Sequence, residues 1–399
     1  MTHSVKTASP SDLSTTPRTS PAPASWSAVV AIGVGAFTLV SAEFLPVGLL
    51  PQIAQDLAIS EGQAGLMVTA PGIVAACAAL LTISVGKHIQ RQHALWALLS
   101  LLVISNALVA CANSLPVLLA ARVLLGVAVG GFWTIGVSLG ARLRPNAIGR
   151  ATSIIFSGVT LGTVAGVPAG TLLGGLLGWR LAFAAFAVLV VLVVAALVVL
   201  LPRIPPEKSL GFGQVPVVLR MTNVRAGLVA VVLIFTGQLA AYTYIAPFLK
   251  QTSGIDSGNL SALLLAYGVA GIIGNIFCGW FVERDVRRAV LVTTLFLGGA
   301  MLSLVVWGTN PVWATAAVVA WGVGFGMLPI AIQSWIFKAA PDRLEVVAAL
   351  FVAVGQLAMG IGALIGGVAV DHFGVQMAIG VGVAGTLGAT LWIVARFPR

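Results

Sequence analysis

The chain has 399 residues, of which 59% are hydrophobic and 8% charged, with a formal net charge of +10. Soluble globular domains carry about 25% charged residues, so this composition excludes a water-soluble domain and points to lipid as the main solvent. The basic excess would suit a nucleic-acid binder, but it is scattered through short loops between apolar stretches, which speaks against that partner.

Residues 1–25 contain 15 Ser, Thr or Pro and no apolar run, the composition of a solvated, disordered tail. No basic segment followed by a short apolar core and a cleavage site occurs there, so the first apolar stretch is expected to remain uncleaved. Crossing a bilayer takes about 20 apolar residues. Twelve stretches meet that length, at about 26–50, 64–85, 94–112, 115–141, 149–175, 181–201, 225–249, 259–282, 289–308, 312–337, 346–369 and 375–395. The Pro- and Gly-containing segment 202–224 reads as a linker. It separates a first six-helix half, 26–201, from a second, 225–399. With the N-terminus inside, 18 of the 21 Lys and Arg fall in inner loops and tails, Arg180 and Lys250 fall outside, and Arg122 is left within a span. That asymmetry predicts cytoplasmic termini and assigns the basic excess to topology.

The halves echo each other. Gly170, Gly174 and Gly175 recur 192 residues later as Gly362, Gly366 and Gly367, and Gly126, Gly130 and Arg142 recur 196 later as Gly322, Gly326 and Lys338. Glu43-x-x-Pro46 is echoed by Tyr244-x-x-Pro247. The expected fold is an all-α membrane protein of twelve transmembrane helices, in two parallel halves with a substrate site between them near the midplane.

Glu43 is the only acidic residue that cannot be placed in a loop or tail. A carboxylate in a span costs roughly 2.5–3.5 kcal/mol on insertion scales, so it reads as a proton or substrate site; the alternative is a carboxyl reaching interfacial water. Arg122 is either a structural charge satisfied by carbonyls of neighbouring helices or a functional partner of the acid. Gly158, Gly162, Gly166 and Gly170 lie four apart on one face of the fifth span. Small residues at that spacing let helices approach closely, here against a span of the other half, and Pro168 removes a backbone donor. Polar and aromatic residues in the spans form the candidate substrate set. Gln238 and Tyr242 share a helical face; Tyr267 and Asn275 share another; Trp133, Tyr244, Gln333, Trp335 and Gln356 complete it. Aromatic faces and amides match a purine's π-face and hydrogen-bonding edges, although each residue alone is equally an interhelical hydrogen bond or core aromatic.

Cys77, Cys111 and Cys278 fall inside spans without a C-x-x-C, which gives neither a disulfide framework nor a metal site. No G-x-x-x-x-G-K-[ST] or H-E-x-x-H occurs, so neither ATP-driven transport nor a cofactor is expected. A membrane enzyme with Glu43 as general acid would lack a second catalytic group.

LAARVLLGVAVGG resembles the Arg-x-x-x-Gly-x-x-x-Gly motif of the major facilitator superfamily. SGVTLGTVAGVPAGTLLGG resembles the Gly/Pro-rich motif of its proton antiporters. The family's Gly-x-x-x-Asp-Arg-x-x-Arg-Arg loop is degenerate: GKHIQRQ lacks the Asp, and GWFVERDVRR is closer. AEFLPVGLLPQIAQDLAISEGQAGLMVT, GVAVGGFWTIGVSLGARLRP, GQLAAYTYIAPF and LPIAIQSWI are similar to bacterial purine ribonucleoside efflux pumps. Sugar-efflux transporters share EF-x-P-V-G-L-L and the GWR after the fifth span. The resemblance implies a monomeric inner-membrane transporter that exports a purine ribonucleoside against protons. Glu43 would carry the proton, Arg122 would tune it, and the glycine face with Pro168 would serve as the hinge. Sugar or multidrug efflux on the same fold, and a passive facilitator, remain as alternatives.

Overall fold

A computed structural model describes residues 26–85, 89–144, 147–203, 215–340 and 343–396. The expected tail at 1–25 and the 204–214 part of the expected linker lie outside these residues. The first half comprises α1 (Trp26–Asp56), α2 (Glu61–Val85), α3 (Arg91–Ala110), α4 (Leu115–Leu143), α5 (Ile148–Leu161), a π-helical turn (Gly162–Gly166), α6 (Val167–Leu177) and α7 (Trp179–Leu200). A short helix, α8 (Val215–Arg220), precedes the second half: α9 (Thr222–Tyr242), α10 (Ile245–Gln251), α11 (Ser257–Arg284), α12 (Val286–Trp307), α13 (Pro311–Ala339), α14 (Leu344–Phe373) and α15 (Val375–Arg396). Among the described residues twelve segments are long and apolar enough to cross a membrane. Helix is the form that satisfies each span's backbone groups internally where water is absent.

Local chemistry sets the boundaries. Asp256 and Asp285 accept the backbone N–H of Asn259 (2.8 Å) and Arg288 (3.0 Å) and so open α11 and α12; Asn310 does the same for α13, followed by Pro311 at its first position. Gly178 (φ 88°) and Gly374 (φ 86°) make the sharp reversals into α7 and α15, where a side chain would be strained. Two stretches depart from the expected single helices. The seventh breaks at Thr243–Tyr244, because Pro247 has no N–H for the Thr243 carbonyl. The fifth loosens to a π-turn at Gly162–Gly166, just where Pro168 withdraws the donor for Val164.

The glycine face of the fifth span packs on α1, within its own half, and not on the other half. A side-chain carbon on Gly158, Gly162, Gly166, Gly170 or Gly174 would strike Gly33, Phe37, Ser41, Leu45 or Leu49 respectively. Both series step by four, so the two helices run parallel in constant register. What the fifth span presents to the other half is Val164, against Gly268 of α11.

The same contacts fix the register of the repeat. Gly126 and Gly130 of α4 lie on the carbonyls of Pro71 and Ala75, while Gly322 and Gly326 of α13 lie on those of Tyr267 and Gly271. Gly362 and Gly366 of α14 meet Thr236 and Ala240 as Gly170 and Gly174 meet Leu45 and Leu49. By this register Pro71 corresponds to Tyr267, Pro46 to Gly237, and Arg122 to Val318. The Glu43–Tyr244 echo is therefore out of register: Tyr244 stands at the place of Ile53, further along the helix.

Candidate functional site

Glu43 lies on α1 one turn before Pro46 and is 5% exposed, inside the protein and not at a lipid surface. Its carboxyl has Arg122 as charged neighbour and the Gln356 amide, from α14 of the other half, as hydrogen-bonding neighbour. The Gln356 carboxamide oxygen is buried with no partner in the protein. A buried carboxyl and an amide with unused capacity are thus neighbours across the two halves.

Arg122 is fully buried on α4. It donates from Nε to the Met67 carbonyl (2.8 Å) and from its two terminal nitrogens to the carbonyls of Ala42 and Glu43 (both 2.9 Å). Arg122 and Glu43 do meet, but through the Glu43 backbone. The structural reading of this arginine, a charge satisfied by neighbouring carbonyls, is the one the geometry displays.

Beside Glu43 the halves enclose a narrow crevice of ≈ 10 Å³ lined by Phe44, Thr163, Tyr242 and Phe325. Phe44 meets Tyr242 edge-on at 6.3 Å. Tyr242 stacks on Tyr267 (5.1 Å, 24°) and on Phe325 (6.2 Å, 9°), and Trp321 closes the group edge-on. Behind this wall Gln238, fully buried, donates to the Tyr267 hydroxyl (3.1 Å) and accepts from the Trp321 indole (2.8 Å). Both ends of its amide are occupied by protein.

The structure brings Glu43, Arg122 and Gln356 into one cluster and Gln238, Tyr242 and Tyr267 into another, of which Tyr242 lines the crevice. Trp133 sits between the first-half core and the large second-half core. Asn275 and Gln333 are half-buried and do not line the crevice. Trp335 borders a separate cavity of ≈ 700 Å³ at the other end of α13, with Arg284, Arg287, Arg288 and Lys338. Tyr244 is fully buried at the distal end, the end of the α1–α2 turn, and donates to the Ala363 carbonyl (3.1 Å). Phe44, Thr163, Trp321 and Phe325 escaped the sequence reading. An apolar residue in an apolar span carries no mark of what it lines, and only the i,i+4 spacing of Trp321 and Phe325 hinted at a shared face.

The distal end is shut. Asp371 of α14 accepts the Gly62 N–H (3.0 Å) and the Ser60 hydroxyl (2.7 Å), and Gln251 donates to Glu61 (2.9 Å). Deeper in, α2 and α14 touch backbone to backbone at Gly72 and Gly360. Among the described residues no group of three or more His, Cys, Asp or Glu could hold a metal ion.

Two six-helix halves with a buried acid between them define a membrane transport protein, and the chain belongs to the Major Facilitator Superfamily, whose model matches residues 32–363. It is a multi-pass transporter of a bacterial inner membrane and not an enzyme. It is 37% identical over 350 residues, 88% of each chain, to the purine ribonucleoside efflux pump NepI of Salmonella paratyphi A, and 36% identical over the same share to that of Salmonella enteritidis PT4. Its fold is that of the nucleoside transporter NupG, solved as a point mutant (TM-score 0.78, 13% identity, 94% of this chain and 100% of that one). The D-xylose-proton symporter shares it as well (TM-score 0.77, 16% identity, 94% and 98%).

Proposed function

We propose that this protein exports purine ribonucleosides in exchange for protons, by alternating access of the crevice between its halves. The observation that carries the reading is Glu43: a carboxyl out of bulk water, at the junction of the halves and next to an aromatic wall. Glu43 is an acid buried inside a span where the halves meet, and an ionisable side chain in such a place is the group to look to for a proton relay. The efflux-pump relatives, 37% identical over 88% of the chain, support the purine ribonucleoside as cargo. Tyr242 and Phe325 offer π-faces to the base, and Gln356 offers an amide to its edge. Rocking of the halves would open the crevice, which at ≈ 10 Å³ is too tight for a nucleoside as it stands.

The segment 1–25 serves as a cytoplasmic tail, 202–224 links the halves, both termini face the cytoplasm as the Lys/Arg asymmetry requires, and one chain suffices for transport. The test is proteoliposome transport of inosine, with arabinose and a lipophilic cation for comparison, under two imposed pH gradients. Gradient-driven inosine movement is expected in the wild type, and its loss in Glu43→Gln with inosine binding partly retained. Gradient-driven transport that survives Glu43→Gln would remove Glu43 from the coupling.

A further inference from the structure

The three carbonyls that Arg122 holds are not arbitrary. In a helix each carbonyl accepts the N–H four residues on, and proline has none. Pro46 therefore leaves the Ala42 carbonyl without its helical donor, and Pro71 does the same to Met67. Arg122 donates to both, from a third helix, and with its remaining terminal nitrogen to the next carbonyl along, that of Glu43. Two prolines on two helices thus orphan two buried acceptors, and one guanidinium fills both gaps.

The repeat supplies an internal control. In the register read above, Pro46 corresponds to Gly237 and Pro71 to Tyr267, and neither α9 nor α11 has a proline inside it. At the place of Arg122 stands Val318, fully buried. Where the two prolines are missing, so is the arginine. The acid is missing there as well, with Ile234 at the place of Glu43, so it is the hydrogen bonds to the two proline-freed carbonyls that tie the arginine to the prolines.

We propose that Arg122 is a positioning residue: its guanidinium replaces the two helical hydrogen bonds that Pro46 and Pro71 delete, and so holds the α1 backbone that carries Glu43. A lysine, with one nitrogen, cannot span the same fork. The bearing on proton coupling rests on the function proposed above, whereas the clamp is read from the backbone alone.

The test is a cycle of Arg122→Met against P46A/P71A, followed by thermal unfolding of the purified protein, with Arg122→Lys as the milder variant if Arg122→Met does not accumulate. Arg122→Met is expected to lower Tm by on the order of 5 °C with the prolines present and by about 1 °C without them. An equal drop in both backgrounds would overturn the clamp. Positioning has its own readout in the pH profile of inosine transport. Arg122→Lys, which keeps the charge but not the fork, should displace the profile by about half a unit or more, and P46A/P71A should bring it back. A profile unmoved by Arg122→Lys would overturn the positioning role. Should Glu43 prove uncoupled from protons, the Tm cycle would still stand, so the two failures are distinct.

Discussion

Gln238 illustrates how a polar side chain in a span can look like a ligand group and work as a strut. Its amide oxygen and nitrogen are both engaged, by Trp321 and Tyr267, with no exposure. Replacing it by leucine would strand an indole N–H and a phenol in an apolar core, at about 1–3 kcal/mol for each group left unsatisfied. Gln238→Leu should therefore lower the thermal midpoint while the KM for inosine moves little. A large KM change at unchanged stability would return Gln238 to the substrate. Glu43 is the opposite case. Its cost in lipid was visible from its letter alone, but its partner Gln356 lies 313 residues away in the chain and nothing local announces it.

Among the elements, the parallel pairing of α1 with α5 and α6 depends on having no side chain at every fourth position. Gly158→Val would push a branched side chain into the Gly33 carbonyl, and overpacking of this kind costs about 1–3 kcal/mol. Gly175→Ala should be nearly neutral, since nothing stands within 4 Å of the added carbon. The pair is checked by comparing unfolding temperatures, and equal effects would refute the ladder. Glycine spacing was legible in the sequence, and so was the close approach it permits. Which helix would receive it was not, because a bare glycine face fits any backbone of suitable shape; the fifth span turned out to face α1 and not the second half.

For the whole molecule, closure at the distal end joins α2 of one half to α14 of the other through Asp371. The Ser60 and Gly62 contacts are partly exposed, so their loss is worth about 1 kcal/mol, roughly a fivefold change in population. Asp371→Ala should shift the balance toward a distally open form, read as longer distances between spin labels on α2 and α14 at that end. Unchanged distances in the variant would mean the glycine contacts alone keep it shut. The closed distal end and the filled crevice belong to the same arrangement: the halves meet along α2 and α14, and the aromatic wall closes where Phe44 reaches Tyr242.

The twelve spans, their pairing into two halves and the oddity of Glu43 could all be read from the letters. Each rests on a local requirement, that a segment in lipid satisfy its own backbone and conceal any charge. The direction of the glycine face and the true register of the halves came from packing between distant segments. Arg122 shows the reason most plainly. Its partners are carbonyl oxygens, which every residue possesses and no sequence spells out, and the two prolines that free them act only once three helices have come together.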